Sequence, residues 1–158
     1  MKSYFSIFSL VFAALLSCKK GDSTSTTPTS DLGSWSYNGR SFKSTYTAWT
    51  TGTNAFQGLA DSSAFQVYFT SSNPESGVYP VYPFGDLSHM KPNQLAVAIV
   101  DQSLPGITYM STDRSKVTAE VTKTGSSYKV KVSGLKLYSV NVSTSALDSL
   151  TLAGEIKN

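Results

Sequence analysis

The chain is poor in the residues that carry most enzyme and metal chemistry. Its 158 residues include one cysteine, Cys18, and one histidine, His89. A single cysteine excludes an intramolecular disulfide. One histidine and one cysteine are too few for a zinc centre of the usual ligand sets. Charged residues make up only 15% of the chain, and no basic run occurs beyond Lys20. That argues against nucleic acid as the main partner. No Gly-x-Ser-x-Gly elbow, Gly-rich phosphate loop or Asp-x-Asp calcium spacing is present. No segment shows a convincing helical period. No apolar run reaches the roughly 20 residues that a membrane-spanning helix needs.

What is present begins at the N-terminus. Met1-Lys2-Ser3 is followed by an uncharged run, Tyr4 to Leu16, which fits a secretory h-region of roughly 7–15 residues. The run ends Leu15-Leu16-Ser17-Cys18. This resembles a lipobox, the processing site of bacterial lipoproteins, with Leu16 a mild departure from the small residue more common there. The resemblance implies that Cys18 becomes the first mature residue and carries lipid. It also accounts for a lone cysteine in an exported chain. Lys19 to Ser30 is built from small polar residues with Gly21 and Pro28, a composition that cannot bury enough apolar area to order itself. The expected organisation is therefore a lipoprotein signal peptide over 1–17, lipidated Cys18 with a disordered Ser/Thr tether over 18–33, and an all-β domain over 34–158.

The formal net charge of +3 misleads about that domain. Lys2, Lys19, Lys20 and Asp22 precede it, and from Asp31 onward ten Lys/Arg face nine Asp/Glu. The domain is rich in Ser, Thr, Tyr, Phe and Val, which suit pleated, half-buried surfaces. Alternation predicts strands. Phe65, Val67 and Phe69 share one face, as do Val117, Ala119 and Val121, then Val130 and Val132, and finally Leu150, Leu152 and Ile156. Further strands are expected at Ser41–Trp49, Ala55–Ala60, Leu95–Asp101 and Ile107–Ser111. Leu95 to Val100 is apolar on both faces, the pattern of a central covered strand. Asn38-Gly39 predicts a type I′ hairpin turn, and Lys123-Thr124-Gly125-Ser126 a second hairpin. At Gly134 the inward phase shifts, which predicts a β-bulge.

Ser71 to Pro92 differs, with Pro74, Pro80, Pro83 and Pro92. It reads as a long loop with at most a short edge strand at Val78–Val81. About eight or nine short strands predict an antiparallel β-sandwich, with a lipocalin-like β-barrel as the alternative.

Taken together, the Ser-Cys-Lys-Lys junction, the Trp35-Ser-Tyr-Asn-Gly-Arg-Ser-Phe42 opening, Gly77-Val78-Tyr79-Pro80 and Val132-Ser133-Gly134 resemble the small lipoproteins of Bacteroidetes-type bacteria. The resemblance implies an outer-membrane or cell-surface lipoprotein of β fold and implies no activity. It also implies O-glycosylation at Asp-Ser motifs, with Ser23 and Ser149 as candidates.

For chemistry, a Ser-His-Asp triad would have to use His89 with Asp86 or Asp101. No catalytic residue, metal ligand or cofactor is assigned on that basis. Aromatics are the suggestive group, and Trp49, Tyr68, Tyr79 and Tyr82 are the candidates for a ligand-binding platform. Trp49 and Tyr68 fall on outward faces if Phe42 and Phe65 point inward. The expected function is a non-catalytic binding or structural module at an envelope surface, held to the membrane by its lipid, with a glycan or envelope protein as partner. A carrier of a small hydrophobic ligand is the alternative, and a hydrolase comes third.

Overall fold

Alternating apolar side chains need a second apolar surface to cover them, and here one sheet supplies both by curling onto itself. A computed structural model describes residues 31–103, 107–140 and 149–158. The expected signal peptide, Cys18, Ser23 and the expected tether as far as Ser30 lie outside the described residues. The strands are β1 (Gly33–Tyr37), β2 (Arg40–Lys43), β3 (Tyr46–Thr50), β4 (Ala55–Ala60), β5 (Ser63–Tyr68), β6 (Gly77–Pro80), β7 (Ala96–Asp101), β8 (Thr108–Met110), β9 (Thr118–Thr124), β10 (Ser127–Ser139) and β11 (Ser149–Lys157). The protein is all-β and antiparallel. Its main path runs β2-β1-β11-β10-β8-β7-β5-β4-β3, with β9 added to β10 and β6 to β9. The path curls into a half-barrel, an arrangement consistent with a sandwich or a barrel.

The curl turns on β10, which is 13 residues long. Along one edge it pairs β11 throughout, while along the other its first half pairs β9 and its end pairs β8. Between the halves lies the expected bulge. The register with β11 slips between Val132 and Leu135, and Gly134 has φ 64°. The result is two walls. One holds β1, β2, β9 and β11 with the start of β10; the other holds β3, β4, β5, β7 and β8.

Between the walls the inward side chains form one core. Trp35, Phe56, Phe65, Ile99, Leu135, Leu137, Leu152 and Ile156 are each 2% exposed or less. Gly58 on β4 lets the walls approach, since a Cβ there would lie 2.5 Å from Ile156 Cγ2. Trp35 also reaches across the core, donating from Nε1 to Ser63 Oγ at 3.0 Å. At the rim Arg40 donates to Asp101 Oδ2 at 3.0 Å and to Ser103 Oγ at 2.8 Å.

The Asn38-Gly39 turn has φ of 50° and 72° at its two centres, the type I′ geometry. β7 lies between β5 and β8, as its two-faced apolar pattern requires. The segment after β5 gives the edge strand β6 and then a 3₁₀ segment, Phe84–His89. One expectation changes. Ser41–Trp49 is not one strand but two, because Ser44 and Thr45 form a corner. Ser44 N bonds Gly33 O, Ser44 Oγ bonds Tyr46 O, and Thr45 N bonds Leu59 O. Small hydroxyl side chains offer the backbone partners outside the ladder, and the chain passes there from one wall to the other. Among the described residues no helix is long and apolar enough to cross a membrane.

Candidate binding surfaces

The corner at Ser44–Thr45 decides where the first candidate aromatic points. In an unbroken strand Phe42 inward would put Trp49 outward. The break resets the alternation. Trp49 stands opposite Phe56 and packs on the core, stacked on Phe56 at 5.3 Å and edge-on to Tyr128 at 5.0 Å. Its Nε1 is buried with no acceptor among the described residues. These rings, with Phe69 against Trp49 at 5.7 Å and against Tyr79 at 5.9 Å, join β3 and β4 to β6 and β10 by packing. Tyr79 is therefore a core residue, 7% exposed, with its phenol donating to Glu75 O at 2.8 Å.

Tyr68 does lie on the outward face of its sheet, as the alternation from Phe65 predicts, but it is covered. Met90, Phe84, Leu87 and Tyr82 form a cap over Ala55, Tyr68, Ala96 and Ala98. Phe84 meets the Tyr68 ring edge-on at 4.8 Å. Burial pushes the Tyr68 phenol well above its ordinary range. Its hydroxyl donates to Gln66 Oε1, and Gln66 donates in turn to Gln57 Oε1. The structure brings Tyr82 into the cap that covers Tyr68. It separates them from Trp49 and Tyr79, so the four do not form one exposed platform. Ser149 opens β11 half-buried, opposite Tyr138.

The cap carries the one histidine. His89 Nδ1 lies 2.5 Å from Asp86 Oδ1, and Tyr82 donates to Asp86 Oδ2 at 3.2 Å. The bond to His89, then the one from Tyr82, holds the Asp86 carboxyl below its usual range. Ser88 Oγ lies 3.3 Å from the same Nδ1. A triad needs its nucleophile on one ring nitrogen and its carboxylate on the other. Here both neighbours approach one nitrogen, on side chains 76% and 51% exposed for His89 and Asp86. Asp101, the other orienting candidate, is bonded to Arg40 on a different side of the fold. Among the described residues, no three His, Cys, Asp or Glu side chains gather as a metal site.

A second surface draws on the Gly77-Val78-Tyr79-Pro80 and Val132-Ser133-Gly134 segments, which carry the resemblance to a family but no site expectation. Where β9 and β10 part near the bulge, an open groove of about 250 Å³ is lined by Val78, Thr118, Glu120, Lys131 and Ser133. Glu120 and Lys131 stand opposite each other in the ladder, and Val78 is 66% exposed. The groove offers one charge of each sign beside an apolar edge. The signal that pointed toward it was Gly134; the β6–β9 pairing that forms its far wall joins residues about 40 apart and leaves no local trace.

No family model, curated protein or solved structure matches the chain. The reading of these surfaces therefore rests on their geometry and on the N-terminal sequence.

Proposed function

We propose that the chain is a lipid-anchored lipoprotein of the cell envelope whose all-β domain is a non-catalytic binding or structural module. One observation carries this: the uncharged run Tyr4–Leu16 ends in Leu15-Leu16-Ser17-Cys18, and Cys18 is the only cysteine. A single myristoyl chain binds only marginally at about 0.8 kcal/mol per buried methylene, so two or three longer chains on Cys18 anchor the protein durably. The setting this implies is the outer membrane, in its periplasmic or surface-facing leaflet. A glycan or an envelope protein is the partner class that fits a domain held at that surface.

The domain's geometry supports the modular reading. The interior is filled by side chains that are almost fully buried, whereas a carrier keeps its ligand in a cavity inside the barrel. The shared nitrogen contact of Asp86 and Ser88 on His89 supports a surface role for that histidine.

The test is Cys18→Ala in a bacterial host fed a clickable palmitate analogue. The parent chain takes up label and is processed at Cys18; the variant does neither. Unchanged labelling or processing of the variant overturns the anchor.

A further inference from the structure

Charge divides sharply between the walls. The strands β3, β4, β5, β7 and β8 contain one charged residue, Asp101, which is buried and bonded to Arg40. The outward face of the other wall is different. Lys129 stands opposite Thr122 and Lys157; Lys131 stands opposite Glu120 and Glu155; Lys43 stands opposite Ser34, itself the neighbour of Glu155. Their alternate neighbours Val130, Val132 and Ile156 point into the core, so these side chains share one surface. Lys136 continues the row beyond the bulge, its Nζ 5.5 Å from the Tyr138 ring. Five lysines thus face outward with the carboxylates Asp31, Glu120 and Glu155 among them. Over the rest of residues 31–158, acids outnumber bases six to five.

Lys129 opposite Lys157 is a like-charge cross-strand pair, an arrangement that by itself costs stability. Lys157 has carboxylate partners, Asp31 at 2.7 Å and Glu155 at 3.5 Å. Those bonds also fix where the chain enters the domain. Lys157 N donates to Leu32 O at 3.1 Å, so the N-terminal segment joins the fold at the edge of this lysine face. Cys18 precedes Asp31 by 13 residues, a reach of at most about 45 Å when fully extended.

We infer that the outward face of β9–β10–β11, through Lys129, Lys131 and Lys157, lies against an anionic lipid headgroup surface and turns the capped, lysine-free wall away from it. The inference rests on the anchor reading of Cys18. A tether of this length holds the face at high effective concentration over the bilayer. Each lysine brought near an anionic leaflet then adds roughly a fivefold preference, which fades within a Debye length of about 8 Å at physiological salt.

The full chain, purified in detergent and reconstituted into vesicles of phosphatidylcholine alone or mixed with phosphatidylglycerol, tests this by amine acetylation read residue by residue in a mass spectrometer. On the anionic vesicles Lys129, Lys131 and Lys157 acetylate at least roughly threefold more slowly, while Lys91 beside the cap reacts equally on both. The difference disappears near 1 M salt, where the Debye length is about 3 Å. In the double variant K129E/K131E the protection of Lys157 is lost. Equal rates on both vesicles, or protection of Lys91 as strong as that of Lys131, overturns the inference. The N-terminal peptide of the same sample reports the anchor separately. Unmodified Cys18 with a protected lysine face refutes the anchor alone, and acylated Cys18 with an unprotected face refutes the docking alone.

Discussion

Ser63 Oγ receives two hydrogen bonds from the opposite wall, one from Trp35 Nε1 at 3.0 Å and one from Tyr37 Oη at 3.1 Å. All three residues are at most 2% exposed. Ser63→Ala strands the Trp35 donor in the core, where an unmet polar group costs about 1–3 kcal/mol, and leaves the Tyr37 phenol only Asp101 nearby. The expected loss is about 2–4 kcal/mol in denaturant unfolding, and an unchanged midpoint would refute the linkage between walls. Tyr37 makes a second test available. Burial above all, with Asp101 nearby, pushes its phenol up to about 12. Its folded value lies above its unfolded one, so the folded state holds the proton more tightly. The stability this contributes is complete below about pH 10 and declines as pH rises from about 10 to 12. Unfolding midpoints across that window fall more steeply for the parent than for Tyr37→Phe; parallel curves count against it.

At the scale of elements, β10 organises the molecule because it changes partner halfway. Gly134 sits at that change with φ 64°, and a Cβ there would meet nothing within 4 Å. The penalty for substitution is therefore one of backbone alone. Asn tolerates the left-handed region, whereas a β-branched residue does not. Gly134→Asn is expected to cost well under 1 kcal/mol and Gly134→Val about 1–2 kcal/mol, read as a difference in thermal midpoint. Equal losses would show that space, not conformation, decides the site. This bulge was legible because a shift of inward phase at a glycine is a local signal. So were the Asn38-Gly39 turn and the central position of β7, whose two apolar faces are met by the core and by the cap. The corner at Ser44–Thr45 was not. Its backbone N–H groups and the Thr45 hydroxyl bond carbonyls brought near by folding, at Gly33 and Leu59, so alternation alone runs Phe42 and Trp49 into one strand. The same limit applies to the candidate surfaces. Tyr68 was placed on its correct face, but its cover by Phe84 and Met90 comes from a proline-rich segment with no period to read. The lysine face needed the pairing of β10 with both neighbours before Lys129, Lys131 and Lys157 could be seen as one surface.

For the whole molecule, the walls divide the work of stability and contact. One wall is covered by the cap over Ala55, Tyr68, Ala96 and Ala98 and carries no free charge in its strands. The other exposes the lysine ladder and the groove beside Val78, and receives the chain from the N-terminus. Between them the aromatic contacts of Trp49, Phe69, Tyr79 and Tyr128 close the space that a carrier would leave open. A ligand that binds only the folded state stabilises it by about 2.7 kcal/mol at a hundred times its dissociation constant, which for a domain of this size raises the thermal midpoint by several degrees. With the interior filled, long-chain fatty acids, retinoids and similar apolar compounds are expected to leave the midpoint unchanged and to gain no fluorescence from transfer out of water. Phe65→Ala provides the internal control. It removes a ring at 0% exposure from the centre of the core, with an expected loss of about 3–5 kcal/mol and a new apolar cavity. A small apolar ligand such as benzene should stabilise that variant and not the parent. Stabilisation of the parent by the larger compounds would mean that the walls part to admit them, and would return the carrier reading to first place.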